Sequence, residues 1–213
     1  MSVLSVTLDV SGYLSNFVLC LEDIRTSLAW TIPGKEQERE AKEISFVEGI
    51  ERVVVCIETA KTSGASLIFI GNGGSAAIAS HQTADFMKAG VRAFAPLDHS
   101  LITCFSNDFG YESAFANVLK VNGKKGDVLF AVSSSGESKN ILNAVEVAKS
   151  KGMTIITLSG FDPLNSLRKI GEINFYAPSN SYRHVESAHL FVFNCILDFF
   201  LAVTNYHTAP TWA

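Results

Sequence analysis

Three short apolar runs constrain this chain more than any other feature. "SLIFIG" (66–71), "DVLFAVSSSG" (127–136) and "MTIITLSG" (153–160) each climb through β-branched and aromatic residues and end at a glycine. Such near-continuous apolar runs are what a parallel strand buried on both faces requires. Helix-like segments alternate with them, at 76–88 and in "SKNILNAVEVAKSKG" (138–152), which closes on Gly152. "EINFYAP" (172–178) reads as a fourth strand and "RAFAPL" (92–97) as a fifth, weakened by its proline. Strands alternating with helices specify βαβ units, and so a doubly wound α/β domain around a parallel sheet.

Upstream, residues 11–31 and 44–63 both carry helical spacing. In the second, Ile44, Val47, Ile50, Val54, Ile57 and Ala60 recur every third or fourth position. "TIPGKEQEREAK" (31–42) between them reads as a polar connection with a Pro-Gly breaker. A final helix is expected over about 184–204. The chain therefore reads as one domain: a helical part over 1–63, an α/β core over 64–204 and a loose tail over 205–213. With 213 residues, 47% apolar and 15 phenylalanines, it can fill a large core. Net charge is −4 with no basic block, which argues against a nucleic-acid partner. The four cysteines form no CxxC pair and read as reduced thiols of a cytoplasmic protein. No signal-peptide pattern opens the chain. "HLFVFNCILDFFLAV" (189–203) is short for a membrane span and carries Asn194 and Asp198.

In an open parallel sheet, ligands bind beyond the carboxyl ends of the strands. Two unusual loops fall there: "GNGGS" (71–75) after the first strand and "SSSGES" (133–138) after the second. Each runs into a helix amino terminus, where free N–H groups and the helix dipole favour an anion. Ser75 and Ser138 could serve only as helix caps. Two such loops on one sheet point instead to a phosphate-bearing ligand. The G-x-G-x-x-G spacing of dinucleotide folds and the lysine of a P-loop are both missing.

Four polar residues add chemistry. His81 and Asp85 lie four apart on one helix face, suited to two metal ligands or a base and a ligand. A plain polar stripe would look the same. Glu186 and His189 lie three apart ahead of a very apolar stretch, where a carboxylate needs a partner. Alternatively, Glu186 only complements the helix dipole. His184 reads as a surface residue opening the helix, and His99 and His207 carry no motif.

These motifs together, "GNGGS…H", "GDVLFAVSSSGES", "GMTIITLSG" and the "SNDFGYE" segment (106–112), closely resemble the SIS (sugar isomerase) domain family, within it the phosphoheptose isomerases. The resemblance spans most of the chain. It implies a five-stranded parallel sheet between helices and a homotetramer with sites at subunit interfaces. It implies that Asn72, Gly73, Ser75, Asn107 and Asp108 contact the substrate and that Ser133, Ser134, Ser135 and Ser138 hold its phosphate. His81, Asp85, Glu186 and Asn194 would stand at zinc-ligand positions, with a weakly held zinc. By chemistry rather than resemblance, Glu186 reads as the base with Asp85 second, and a water or His189 as the acid. Three positions depart from the best-known members, which carry glutamate at 85, glutamine at 186 and histidine at 194. The activity implied is conversion of sedoheptulose 7-phosphate for surface-polysaccharide heptose. The alternative, favoured by Asn194, is a non-catalytic sugar-phosphate-binding protein that acts through protein partners.

Overall fold

The computed structural model describes residues 9–31 and 39–204; the expected tail at 205–213 and part of the polar connection lie outside the described residues. Its elements are α1 (Val10–Glu22), β1 (Arg25–Thr31), β2 (Arg39–Ile44), α2 (Phe46–Ser63), β3 (Leu67–Ile70), α3 (Gly74–Lys88), β4 (Ala93–Phe94), α4 (His99–Phe109), α5 (Ala114–Asn122), β5 (Val128–Ser133), α6 (Lys139–Ser150), β6 (Thr154–Gly160), α7 (Ser166–Ile170), β7 (Ile173–Ala177) and α8 (Tyr182–Val203). A short 3-10 turn at Tyr111–Ser113 joins α4 to α5.

All five expected parallel strands are present, side by side in the order β7-β6-β5-β3-β4. Their period of two explains the unbroken apolar runs. In β3, Leu67 and Phe69 face one core, while Ile68 and Ile70 face the other. In β5, Val128, Phe130 and Val132 alternate with Leu129 and Ala131 in the same way. Helices α2, α3 and α8 cover the first face, and α5, α6 and α7 the second. Phenylalanine dominates the first core. Phe69 stacks on Phe130 at 4.8 Å between centroids and on Phe86 at 5.7 Å, and Phe193 of α8 closes on Phe130 at 5.4 Å. Such aromatic pairs add to the stabilisation from buried area.

The amino-terminal part differs from its sequence reading. The helical spacing over 11–31 covers two elements: α1 ends at Glu22, and the chain turns at Asp23 into strand β1. β1 and β2 form an antiparallel hairpin that extends the sheet to seven strands. β1 pairs antiparallel with β7, from Arg25↔Tyr176 to Leu28↔Ile173. This pairing decides the outcome: it gives β7 a hydrogen-bonded neighbour and buries Thr26 and Ser27, which helical periodicity would not anticipate. β2 then forms the edge, and four of its six residues are charged, a usual protection for an unpaired strand. Helices α4 and α5, between β4 and β5, were not anticipated from the sequence.

α2 matches its expectation closely. Ser45 Oγ accepts the Glu48 amide at 3.1 Å, and Gly64 closes the helix at φ 73°. α8 is long and apolar enough by composition to cross a membrane. It serves instead as a core helix, burying Val185, Ala188, Val192, Phe193, Ile196 and Phe200. Because Phe130 joins three aromatic neighbours with no exposure, Phe130→Ala should cost about 3–5 kcal/mol. Urea unfolding should show this as a lower midpoint with an unchanged slope.

Candidate functional site

The first loop leaves β3 at Gly71 and enters α3 at Gly74. Gly73 sits at φ 54°, ψ −123°, a conformation that side chains strongly disfavour. It is the cap residue of α3 and makes no side-chain cap bond. Ser75 lies inside the first turn and is buried, so it is not the helix cap. The second loop leaves β5 at Ser133 and enters α6 after Ser138. Ser138 occupies the cap position, yet its side chain makes no cap bond. Its hydroxyl instead meets Ser133 Oγ at 3.2 Å. The Gly136 amide donates to Ser133 Oγ, and the Glu137 amide donates to Ser135 Oγ, both at 3.2 Å. The loop is thus a curled cluster of hydroxyls above the amino terminus of α6. Glu137 anchors it outward by accepting the Ser166 amide at 2.6 Å and hydroxyl at 2.9 Å.

Between the loops lies a cavity of about 140 Å³ lined by Asn72, Ser75, Val132, Ser133, Ser134, Ser135, Ser138, Tyr182 and Glu186. Larger clefts exist, including one of about 730 Å³ beside Arg92 and Lys124. That cleft opens at the start of β5, the wrong end of a parallel sheet for its ligand site. Among the described residues, the small cavity joins both loops and their helix termini. Its first loop is tied across to α6: the Asn72 and Asn140 amides exchange two hydrogen bonds of 2.9 Å, and the Tyr111 hydroxyl donates to Asn72 Oδ1 at 2.6 Å. Asn140, Tyr111 and Tyr182 were not singled out from the sequence. Asn140 follows the Ser-rich loop so closely that its place was readable; the tyrosines arrive only through folding.

Glu186 comes from the first turns of α8 and lies against Gly74. A Cβ at position 74 would stand 2.5 Å from its carboxylate carbon and both oxygens. Glycine therefore admits a carboxylate to the amino terminus of α3, where the dipole and free amides favour a negative group. Asp85 and His81 pair as their spacing predicts, Nε2 to Oδ2 at 3.1 Å. However, they follow Ser75 by roughly 9 and 15 Å along the helix axis, His81 first, and do not line the cavity. Asn194 is exposed on α8, roughly 12 Å along the axis from Glu186. Among the described residues no three His, Cys, Asp or Glu side chains come close enough to share a metal ion. The donors at 81, 85 and 186 thus do not form a three-ligand cluster within one chain.

Other residues singled out in the sequence also lie away from this cavity. Asn107 and Asp108 are exposed at the end of α4, bonded to each other at 2.9 Å. The helix stops at Gly110, and only Tyr111 reaches the cavity wall. His189 points into the core, where Nε2 donates to the Ser159 carbonyl at 3.1 Å. Burial pushes it down to about 4, against a smaller upward pull from that bond, so the ring is neutral at pH 7 and away from the cavity. His184 is also buried, against Tyr13 and Phe17 and beside Ser179, rather than on the surface. His189 sets a pH dependence. Between its unfolded value of 6.5 and about 4, the unfolded chain binds the extra proton. Stability should therefore be complete above 6.5 and decline as pH falls toward 4. His189→Gln should flatten that slope, read from urea midpoints across this window.

Comparison with known proteins agrees with this geometry. The SIS domain family model matches residues 41–160. Phosphoheptose isomerase of Shewanella sediminis is 34% identical over 187 residues, which cover 84% of this chain and 93% of that protein. Its Shewanella oneidensis counterpart is 33% identical over the same share. Among solved structures, phosphoheptose isomerase from Neisseria gonorrhoeae superposes with a TM-score of 0.76 at 22% identity, covering 91% of this chain and 97% of that one. Phosphoheptose isomerase from Francisella tularensis gives 0.75 at 23% identity, covering 94% and 98%. Five parallel strands, two phosphate-suited loops at their carboxyl ends and these relatives agree: the chain belongs to the SIS domain family, among its phosphoheptose isomerases.

Proposed function

We propose that this protein is an aldose–ketose isomerase acting on D-sedoheptulose 7-phosphate, for heptose synthesis in surface polysaccharide. One observation carries the reading: a ring of serine hydroxyls faces the Glu186 carboxylate across a single small cavity. The hydroxyls of Ser133, Ser135 and Ser138, with the first amides of α6, suit a phosphate, because donors to an ionised oxygen form strong bonds. Relatives at 33–34% identity carry the phosphoheptose isomerase name.

The reaction needs one base beside the sugar carbonyl. Glu186 takes the proton from C1 of the ketose, and the electron pair forms the C1–C2 double bond of an enediolate. The same carboxyl returns a proton to C2, while the C1 hydroxyl proton passes to the C2 oxygen. C1 becomes the aldehyde, with no net gain or loss of atoms. Free amides at the start of α3 lie beside Glu186 and can stabilise charge that develops on oxygen.

Assembly as a homotetramer, with each site completed by a neighbouring subunit, belongs to the same reading. The cavity is small beside the roughly 300–1,000 Å³ of ordinary ligand sites. Exposed Tyr13, Leu14, Val18 and Leu19 of α1, and Phe191, Phe199 and Val203 of α8, offer apolar surface for subunit contacts. Four free cysteines suit a cytoplasmic setting.

NMR of sedoheptulose 7-phosphate with the enzyme should show the aldose signal grow; an unchanged spectrum would overturn the reading. Glu186→Gln should lower kcat by roughly 10²-fold, and turnover near wild type would remove it as the base. Ser135→Ala should weaken sugar-phosphate binding in calorimetry without changing the folded far-UV spectrum. Light scattering at micromolar concentration should give four times the chain mass, and a monomer would refute the assembly.

A further inference from the structure

The Asn72–Asn140 pair has only one possible orientation. The Ile141 backbone N–H can only donate, and it reaches Asn140 Oδ1 at 3.0 Å while also sharing its proton with the Ser138 carbonyl at 3.0 Å. That contact identifies the oxygen of the Asn140 amide, and with it the nitrogen. Asn140 Nδ2 therefore donates to Asn72 Oδ1, and Asn72 Nδ2 donates back to Asn140 Oδ1. The Tyr111 hydroxyl, meeting the same Asn72 Oδ1, must donate as well. An amide oxygen has two lone pairs and its nitrogen two protons. Both lone pairs of Asn72 are taken, and one of its protons. A single N–H is left on a side chain that lines the cavity.

We propose that Asn140 and Tyr111 are positioning residues that hold Asn72 as an obligate donor, so that its one unspent N–H meets an acceptor oxygen of the bound sugar phosphate. The proposal rests on the sugar-phosphate reading above. Asn140 is 3% exposed, so turning its amide would strand buried donors and acceptors, a costly change. Tyr111 is itself held. Its neighbour Glu112 takes the Lys139 ammonium at 3.0 Å, and the Glu112 carbonyl accepts from Asn143 at 2.9 Å. The turn at 111–113 is thus strapped to α6, and α6 to the first loop. The locked amide selects an acceptor, such as a carbonyl or phosphate oxygen.

Two variants test this. Asn140→Asp keeps shape and acceptor but sets a carboxylate oxygen against Asn72 Oδ1, which turns the Asn72 amide. It should weaken sedoheptulose 7-phosphate binding and lower kcat/KM by about tenfold, the worth of one hydrogen bond. Tyr111→Phe removes only a hydroxyl from a half-exposed ring and should cost about threefold in both. In an Asn72→Ala background both changes should cost nothing more, because they act through Asn72. A merely structural role would cost the same in either background and would overturn the proposal, as would a wild-type Tyr111→Phe. Were the wild type to bind the sugar phosphate in calorimetry without turning it over, the isomerase reading would fall and the affinity cycle would still decide this one. Absence of any binding would overturn both.

Discussion

Parallel pairing of β3 with β5, in the register Leu67↔Val128 to Ile70↔Ala131, is the constraint on which the rest depends. It brings the two strand ends, and hence the two loops, to one edge of the sheet. A slip of one residue would exchange the faces of every side chain in β3. Phe69 would leave its stack on Phe130 and Phe86, and Ile68 would take its place. The aromatic-rich core on one face and the mainly aliphatic core on the other therefore fix the geometry of the polar site, which meets the first core at Val132.

The site is then built by joining elements that are distant in sequence. Asn72 and Asn140 tie the first loop to α6 across 68 residues. Glu137 ties the second loop to α7. Gly74 leaves room for Glu186, which arrives from the last helix. The Asn72–Asn140 join also satisfies a buried amide that would otherwise be stranded, so the site and the packing around it support each other. The carboxylate of Glu186 sits at the positive end of α3, and the serine hydroxyls sit at the positive end of α6. Two helix termini thus converge on one small volume, a natural place for an anionic ligand.

Much of this was legible from local pattern. The loops were marked by glycine and serine after apolar runs, and the serines do meet in one cavity. The His81–Asp85 pair was legible as well, since four-residue spacing on a helix settles adjacency. Its distance from the cavity was not, because spacing within a helix says nothing about what another element brings to its amino terminus. His189 and Glu186 illustrate the same limit. They are three residues apart on α8, yet one faces a strand carbonyl and the other a glycine-bounded cavity.

By itself, then, the sequence determined the five parallel strands, the covering helices α2, α3, α6 and α8, and the anion-suited loops. These rest on periodicity and backbone chemistry, which act over a few residues. Only the tertiary structure decided that residues 25–31 leave the helix for a strand beside β7, because that choice depends on a partner some 150 positions away. It also decided that Asn107 and Asp108 lie away from the cavity while the Tyr111 hydroxyl bonds Asn72 in its wall, and that Asn140 fixes the orientation of Asn72. Hydrogen bonds between distant elements carry no local signature; they exist only once the core has set the helices and strands in place.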